Sequence, residues 1–180
     1  EDEAAFYGPK LDIQARNVNG KEDTLFTAQI DFLLPEKFNI TYIDADGSEK
    51  RPVMIHRSAI GSLERVFAFL TEHYAGAFPL WLSPVQVKVL PVSEKHNEYG
   101  NKVLGALKDA GLRAEIDDAN ESLGKKIRNA KKEKVPYIFV VGEKEESAGT
   151  VSVENRAGSE GAQPLDAMLT RLSDEYKTRK

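Results

Sequence analysis

The chain has 180 residues, a formal net charge of −4, no cysteine, 41% hydrophobic and 30% charged residues. Those values fit one ordinary globular domain or two small ones. They exclude a disulfide framework, a thiolate metal site within the chain, and coating of nucleic acid through bulk positive charge.

No apolar run approaches the roughly 18 residues of a membrane span and no basic-then-apolar leader is present, so a cytoplasmic home is the expectation. The sequence opens at Glu1-Asp2-Glu3 without an initiator methionine and passes quickly into strand pattern. That abrupt start reads as a piece of a longer polypeptide.

In chain order, residues 10–17 alternate, with Leu11, Ile13 and Ala15 on one face and Asp12, Gln14 and Arg16 on the other. This predicts a half-buried strand. Asn19-Gly20 predicts a tight hairpin with positive φ at both central residues, returning as a strand over 24–32. Residues 39–43, the turn Asp44-Ala45-Asp46-Gly47 and residues 49–56 predict a second hairpin. A helix over 58–73 carries Ile60, Leu63, Phe67 and Leu70 at the spacing of a buried face. Ser58, Ser62 and Arg65 follow the same period beside it, which fits either a ligand-facing stripe or a solvated one. Two hairpins feeding a helix predict an antiparallel sheet with the helix packed on it.

Residues 79–84 read as an apolar linker whose Trp81 packs between domains. Beyond it strands and helices alternate: strands at 85–90, 112–116 and 137–141, and helices at 93–110, 122–133 and 164–176. The run Tyr137 to Val141 is apolar throughout and predicts a strand buried on both faces. Residues 149–154 and the turn at Ala157-Gly158 add edge structure. The fold class is therefore α+β followed by α/β, and the expected division is 1–80 and 81–180. Ligands of open α/β sheets usually sit beyond the strand carboxyl ends.

Several side chains stand out as candidates. His56 ends a strand before the long helix, where a lone histidine is usually a packed or capping residue. Lys10 and Gln29 fit ordinary outward-facing strand polarity. Lys125, Arg128 and Lys132 share one helical face, with Lys131 and Lys134 nearby, as either a solvated or a phosphate-tracking surface.

The segments Phe6-Tyr7-Gly8-Pro9-Lys10, Thr27-Ala28-Gln29-Ile30-Asp31-Phe32, Arg51-Pro52-Val53-Met54-Ile55-His56-Arg57 and Tyr74-Ala75-Gly76-Ala77-Phe78-Pro79 resemble, in order and spacing, the threonyl-tRNA synthetases of the class II aminoacyl-tRNA synthetase family. Trp81-Leu82-Ser83-Pro84-Val85-Gln86-Val87 resembles that family's entry into its anticodon-binding domain, and residues 54–65 resemble its motif 3. The resemblance implies a partial class II antiparallel sheet with the motif 3 helix, then an α/β anticodon-binding domain with a mixed sheet flanked by helices. It implies ATP and Mg2+ as cofactors, threonine and threonine tRNA as substrates, and a homodimer for the full-length protein.

Residue by residue, the resemblance implies that Arg65 lies against the nucleotide and phosphates of ATP and that Lys10 serves the catalytic pocket. Tyr7, Gln29 and Ser62 would line the adenylate pocket, and His56 would be one of three protein ligands of a Zn2+ ion. Asn120, Arg128 and Glu145 would read anticodon bases. Phe26 departs from a family glycine, which bears on the nucleotide contact that a family glutamine makes there, and Glu154 departs from a family arginine, so a base contact is lost or passes to Arg156. Motifs 1 and 2 are absent, which implies that the chain alone forms no adenylate and holds no tight metal site. The rival readings are another class II synthetase such as the prolyl enzyme, and a non-catalytic RNA-binding accessory module.

Overall fold

The computed structural model describes residues 5–179. Two compact units divide the chain, Glu1–His73 and Tyr74–Lys180.

In the first unit β1 (Lys10–Arg16) and β2 (Glu22–Asp31) form the expected antiparallel hairpin. Its loop is longer than the sequence suggested. Asn17 and Lys21 close the loop, Gly20 N donates to Asn17 O at 2.9 Å, and within 18–20 only Gly20 takes a positive φ, at 79°. That is a type I turn followed by a left-handed glycine. Asn17 Oδ1 selects it by accepting the N–H groups of Asn19 and Lys21, each at 3.0 Å.

The second hairpin is smaller than expected. Only β3 (Tyr42–Ile43) and β4 (Glu49–Lys50) pair, and β5 (Met54–Ser58) leaves them to join β2 instead. Pro52 lies in the break, where a residue without an N–H cannot extend the ladder. A short helix, α1 (Leu33–Lys37), which the sequence pattern did not predict, follows β2.

The long helix α2 (Leu63–His73) begins later than the period implied. Gly61 adopts φ +69° and its N–H donates to Ser58 Oγ at 2.8 Å, so a turn separates Ser58 from the helix. Ser62 Oγ then accepts the Arg65 N–H at 3.2 Å, as an N-cap does for the third helical residue. Ser58, Ser62 and Arg65 therefore do not share one helical face. The apolar stripe also differs from expectation, because Ile60, Leu63 and Phe67 are exposed and α2 buries none of its residues.

On β1 the alternation breaks at an irregularity between Ile13 and Gln14: Leu11 and Ile13 are exposed and Asp12 partly covered before it, while Ala15 is partly covered and Gln14 and Arg16 exposed after it. Among the described residues of this unit only Asp31 and Pro35 are buried. A three-stranded sheet with both faces so open lacks a core of its own.

The core lies in the second unit. There β6 (Val87–Pro91), β7 (Ala114–Ile116) and β8 (Tyr137–Val141) are parallel, and β9 (Thr150–Asn155) and β10 (Gly158–Pro164) continue antiparallel, in the order β10-β9-β8-β6-β7. Helices α3 (Asn97–Asp109) and α6 (Leu165–Thr178) bury Val103, Leu107, Met168 and Leu172 with Val87, Val89, Phe139, Val141, Val151 and Val153. The intervening strand residues Leu90 and Ile138 pack with Ala130 of α4 (Leu123–Lys132). Burial on both sheet faces explains the unbroken apolar run of β8. Gly100 lets α3 close on the sheet, since a Cβ there would stand 2.9 Å from Pro91 Cγ and from Ile116 Cδ1.

The stretch read as a linker is folded into this second unit. Leu80 is 1% exposed within its core, Ser83 Oγ donates to Phe78 O at 3.0 Å, and the Arg179 guanidinium lies 5.8 Å from the centre of the Trp81 ring.

Candidate functional site

Two groups of polar residues collect the candidates, one on each unit. In the second unit the parallel strands β6, β7 and β8 end side by side. Val92 N donates to Val141 O at 2.9 Å and Asp117 N to Val89 O at 3.0 Å, so the segments that leave these strands start together. They enclose a recess of about 420 Å³ lined by Ser93, Glu94, Lys95, Asp118, Asn120 and Lys126, among others. Its floor is fixed by Lys126, a lysine only 3% exposed, which donates to Asp117 O at 2.9 Å and Pro91 O at 3.3 Å. A buried ammonium is tolerated when such acceptors replace water.

Asn120 is exposed on the rim of this recess. Glu145 belongs to α5 (Glu143–Ala148), a helix the sequence pattern did not predict, and its Oε2 accepts the Gly142 N–H at 3.1 Å just beyond β8. Arg128 sits on the middle turn of α4, exposed, and its guanidinium has no hydrogen bond or ion pair among the described residues. The structure thus places Asn120 and Glu145 at the strand carboxyl ends, while Arg128 stands farther along α4.

The basic face is less open than its sequence implies. Lys125 pairs with Glu121 at 2.6 Å, Lys131 with Glu154, and the Lys134 ammonium with Ala75 O. Arg156 is engaged by backbone carbonyls. Its guanidinium donates to Ala77 O at 2.9 Å, Phe78 O at 2.6 Å and Lys134 O. Burial also lowers its pKa.

In the first unit the strand register builds a polar sheet face. Lys10, Gln29 and His56 are directly opposite one another across β1, β2 and β5, with Asp12, Thr27 and Ser58 in the next such row. Gly8 brings Tyr7 to this face. A Cβ at Gly8 would lie 2.1 Å from Ile30 O, so only glycine permits the close approach in which Phe32 N bonds to Tyr7 O. The Tyr7 hydroxyl then donates to Gln29 Oε1 at 2.7 Å, and its ring lies 6.1 Å from that of His56. A recess of about 400 Å³ is lined by Tyr7, Gln29, Asp31, Lys37 and His56. The Lys10 ammonium pairs with Asp12 at 2.7 Å. That ammonium and the Thr27 hydroxyl hold the Asp12 carboxyl below its ordinary pKa against the opposing effect of burial. Ser62 and Arg65 stand apart, at the start of α2, and line neither this recess nor the neighbouring one around Thr27 and Arg57.

The residue that sequence reasoning missed is Asp31. It is 1% exposed, accepts the N–H groups of Leu33 and Leu34, and meets His56 Nε2 at 2.8 Å. Burial pushes its pKa up, but the Leu34 N–H, His56 and the Leu33 N–H outweigh that and hold it below the usual value. Its position two residues after Gln29, hence on the same strand face, was the available signal.

A zinc site was tested against these groups. No cluster of three or more His, Asp or Glu side chains suited to a metal occurs among the described residues, and a zinc ion takes at least three protein ligands. His56 nevertheless has the setting of a single ligand, one ring nitrogen held by a buried carboxylate and the other open. It fits as one corner of a site.

Comparison with known proteins follows the same division. Residues 86–175 match the anticodon binding domain family, and residues 1–74 match the class II tRNA synthetase core domain of the G, H, P, S and T group. The chain is 58% identical over 180 residues to a threonine–tRNA ligase of Clostridium botulinum and 52% identical over 181 residues to one of Thermus thermophilus. It spans 28% of the length of each. Among solved structures, the RNA binding domain of a threonyl-tRNA synthetase from Cryptosporidium parvum superposes with a TM-score of 0.81 at 36% identity, covering 96% of this chain and 44% of that one. A prolyl-tRNA synthetase from the same organism superposes at 0.73 with 21% identity, covering 99% of this chain and 43% of that one, a likeness of fold.

Proposed function

We propose that this chain, which belongs to the anticodon binding domain family, serves as part of a threonine–tRNA ligase. In that reading residues 81–180 read the anticodon of threonine tRNA and residues 1–80 supply the motif 3 part of the active site. The observation that carries it is the recess at the carboxyl ends of β6, β7 and β8, with Asn120 on its rim and Glu145 close by. Amides, carboxylates and guanidinium groups read unpaired bases along their Watson–Crick edges, and exposed Arg128 adds the cation.

The parent reaction joins threonine to its tRNA with ATP and Mg2+ through an adenylate, in a cytoplasmic homodimer. Gln29 and Tyr7 form a hydrogen-bonded pair suited to a polar substrate group, and Arg65 offers an exposed guanidinium for nucleotide or phosphate. Lys10 stands opposite Gln29 on the same sheet face, and Ser62, at the start of the helix that carries Arg65, would join the adenylate site from outside this recess. Zinc, when bound, supplies an electrophilic grip on an amino group and neighbouring hydroxyl, and His56 would be one of its ligands. The uncovered faces of the first unit support inactivity of the chain alone, since positioning reactants needs a closed pocket. The self-contained core of the second unit favours RNA binding as the activity that this chain keeps by itself.

Binding to threonine tRNA and to copies with single anticodon substitutions, at two salt concentrations, tests the reading. Loss of affinity on anticodon substitution at both salts is expected. Equal binding of all RNAs, abolished by salt, would leave only phosphate attraction.

A further inference from the structure

We propose that Asp31 is the positioning residue of His56, holding the imidazole with its proton on Nε2 and leaving Nδ1 as an open lone pair. The use of that lone pair rests on the reading of His56 as a metal ligand; the orientation itself rests on geometry.

Asp31 Oδ1 is occupied, accepting the Leu33 N–H at 2.8 Å and the Leu34 N–H at 2.9 Å. Oδ2 is therefore the oxygen left for His56, and it lies 2.8 Å from Nε2. An ionised carboxylate offers acceptors only, so this bond requires the hydrogen to be on Nε2. A neutral imidazole carries a single ring hydrogen, and Nδ1 becomes the lone-pair nitrogen. Among the described residues Nδ1 has no hydrogen-bond partner, and the ring borders both recesses of the sheet face. Strand register holds the two side chains together: Gln29 faces His56 and Asp31 faces Met54 across β2 and β5. Asp31 is 1% exposed, so water does not compete for the carboxylate.

The alternative is that Asp31 merely caps α1. The variant Asp31→Asn separates the two roles. An asparagine keeps Oδ1 on the Leu33 and Leu34 N–H groups and so keeps the cap. Its Nδ2 then faces His56 Nε2 and donates, which drives the ring hydrogen to Nδ1. The tautomer inverts while the fold is retained.

The chain holds three histidines, and ¹⁵N labelling of these rings allows the tautomers to be read by long-range ¹H–¹⁵N correlation at about pH 8.5, where imidazoles are neutral. The expected result is an Nε2–H tautomer for His56 in the wild-type chain, an Nδ1–H tautomer in Asp31→Asn, and unchanged spectra for His73 and His96. A wild-type His56 that shows Nδ1–H, or the averaged signal of a free imidazole, overturns the proposal without the variant being needed. A wild-type Nε2–H ring that does not invert in Asp31→Asn also overturns the positioning role; this test needs no metal, so the reading of His56 as a ligand stands or falls separately, on the metal content of the full-length protein and its His56→Ala variant.

Discussion

Gln86→Leu should cost the second unit about 1–3 kcal/mol. The Gln86 side chain is 0% exposed and spans two distant backbone groups. Its Nε2 donates to Leu80 O at 2.7 Å, and its Oε1 accepts the Arg113 N–H at 2.8 Å. Leucine has nearly the same volume, so no large cavity opens. The Arg113 N–H loses this buried acceptor, at about 1–3 kcal/mol. Leu80 O keeps a contact from Ser83 N at 3.3 Å, which reduces its share to about 1 kcal/mol. Extra apolar burial returns about 1 kcal/mol. Against a typical domain stability of about 5–15 kcal/mol this is a large fraction. Urea unfolding followed by fluorescence of Trp81, the only tryptophan, reports on the second unit. The midpoint should fall with an unchanged slope. A loss below about 0.5 kcal/mol would refute the claim that these two bonds hold the 80s segment to the sheet.

Three further outcomes are expected. Glu160 receives both Arg171 nitrogens, at 2.6 and 2.9 Å, and the Arg171 bond holds its pKa down against burial, with Asn155 assisting. A carboxyl lowered in the folded state stabilises above its unfolded pKa of about 4.3 and loses that effect as pH falls through the folded value. Glu160→Gln should therefore lower stability by about 1 kcal/mol at pH 7, with the wild-type and variant curves converging at low pH; a constant gap across the acid range would contradict the pairing. Arg156→Met frees the carbonyls of Ala77, Phe78 and Lys134, so chymotrypsin should cut after Tyr74 several-fold faster, and an unchanged rate would show that the guanidinium does not hold this segment. Phe139→Ala, at a 0% exposed site, should cost about 3–5 kcal/mol in the same urea assay, and a loss under about 1 kcal/mol would mean that the core is not where it is described.

How much was legible depended on whether a residue's partners lie nearby in sequence. Strand β8 was readable because Ile138, Phe139 and Val141 are buried in a sheet with helices on both faces, which demands a continuous apolar run. The start of α2 was not, because the period of Ile60, Leu63 and Phe67 continues through a turn set by Gly61. That same stripe shows what periodicity can and cannot say: an apolar face is built to be covered, yet here Leu63 and Phe67 remain exposed. Tyr7, Lys10, Gln29 and His56 were legible as a group through the family resemblance, and the strand register gives the physical reason that they share one face. Asp31, Gln86 and Lys126 escaped for a common reason. Each is a buried polar side chain satisfied at least partly by backbone groups, and for Lys126 one such partner is Pro91, 35 residues away. For Gln86 and Lys126 no local pattern announces such a bond, and Asp31 offered only its place on the Gln29 face of the strand.

The central claim is that the carboxyl-end recess of the second unit takes the anticodon. Amide chemical-shift mapping of the chain with an anticodon stem-loop of threonine tRNA tests it most directly. The account predicts perturbations at residues 92–95 and 118–121, at Arg128 and around Glu145, abolished when the anticodon bases are changed. Shifts confined to Lys131, Lys132 and Lys134, or unaltered by anticodon substitution, would contradict it.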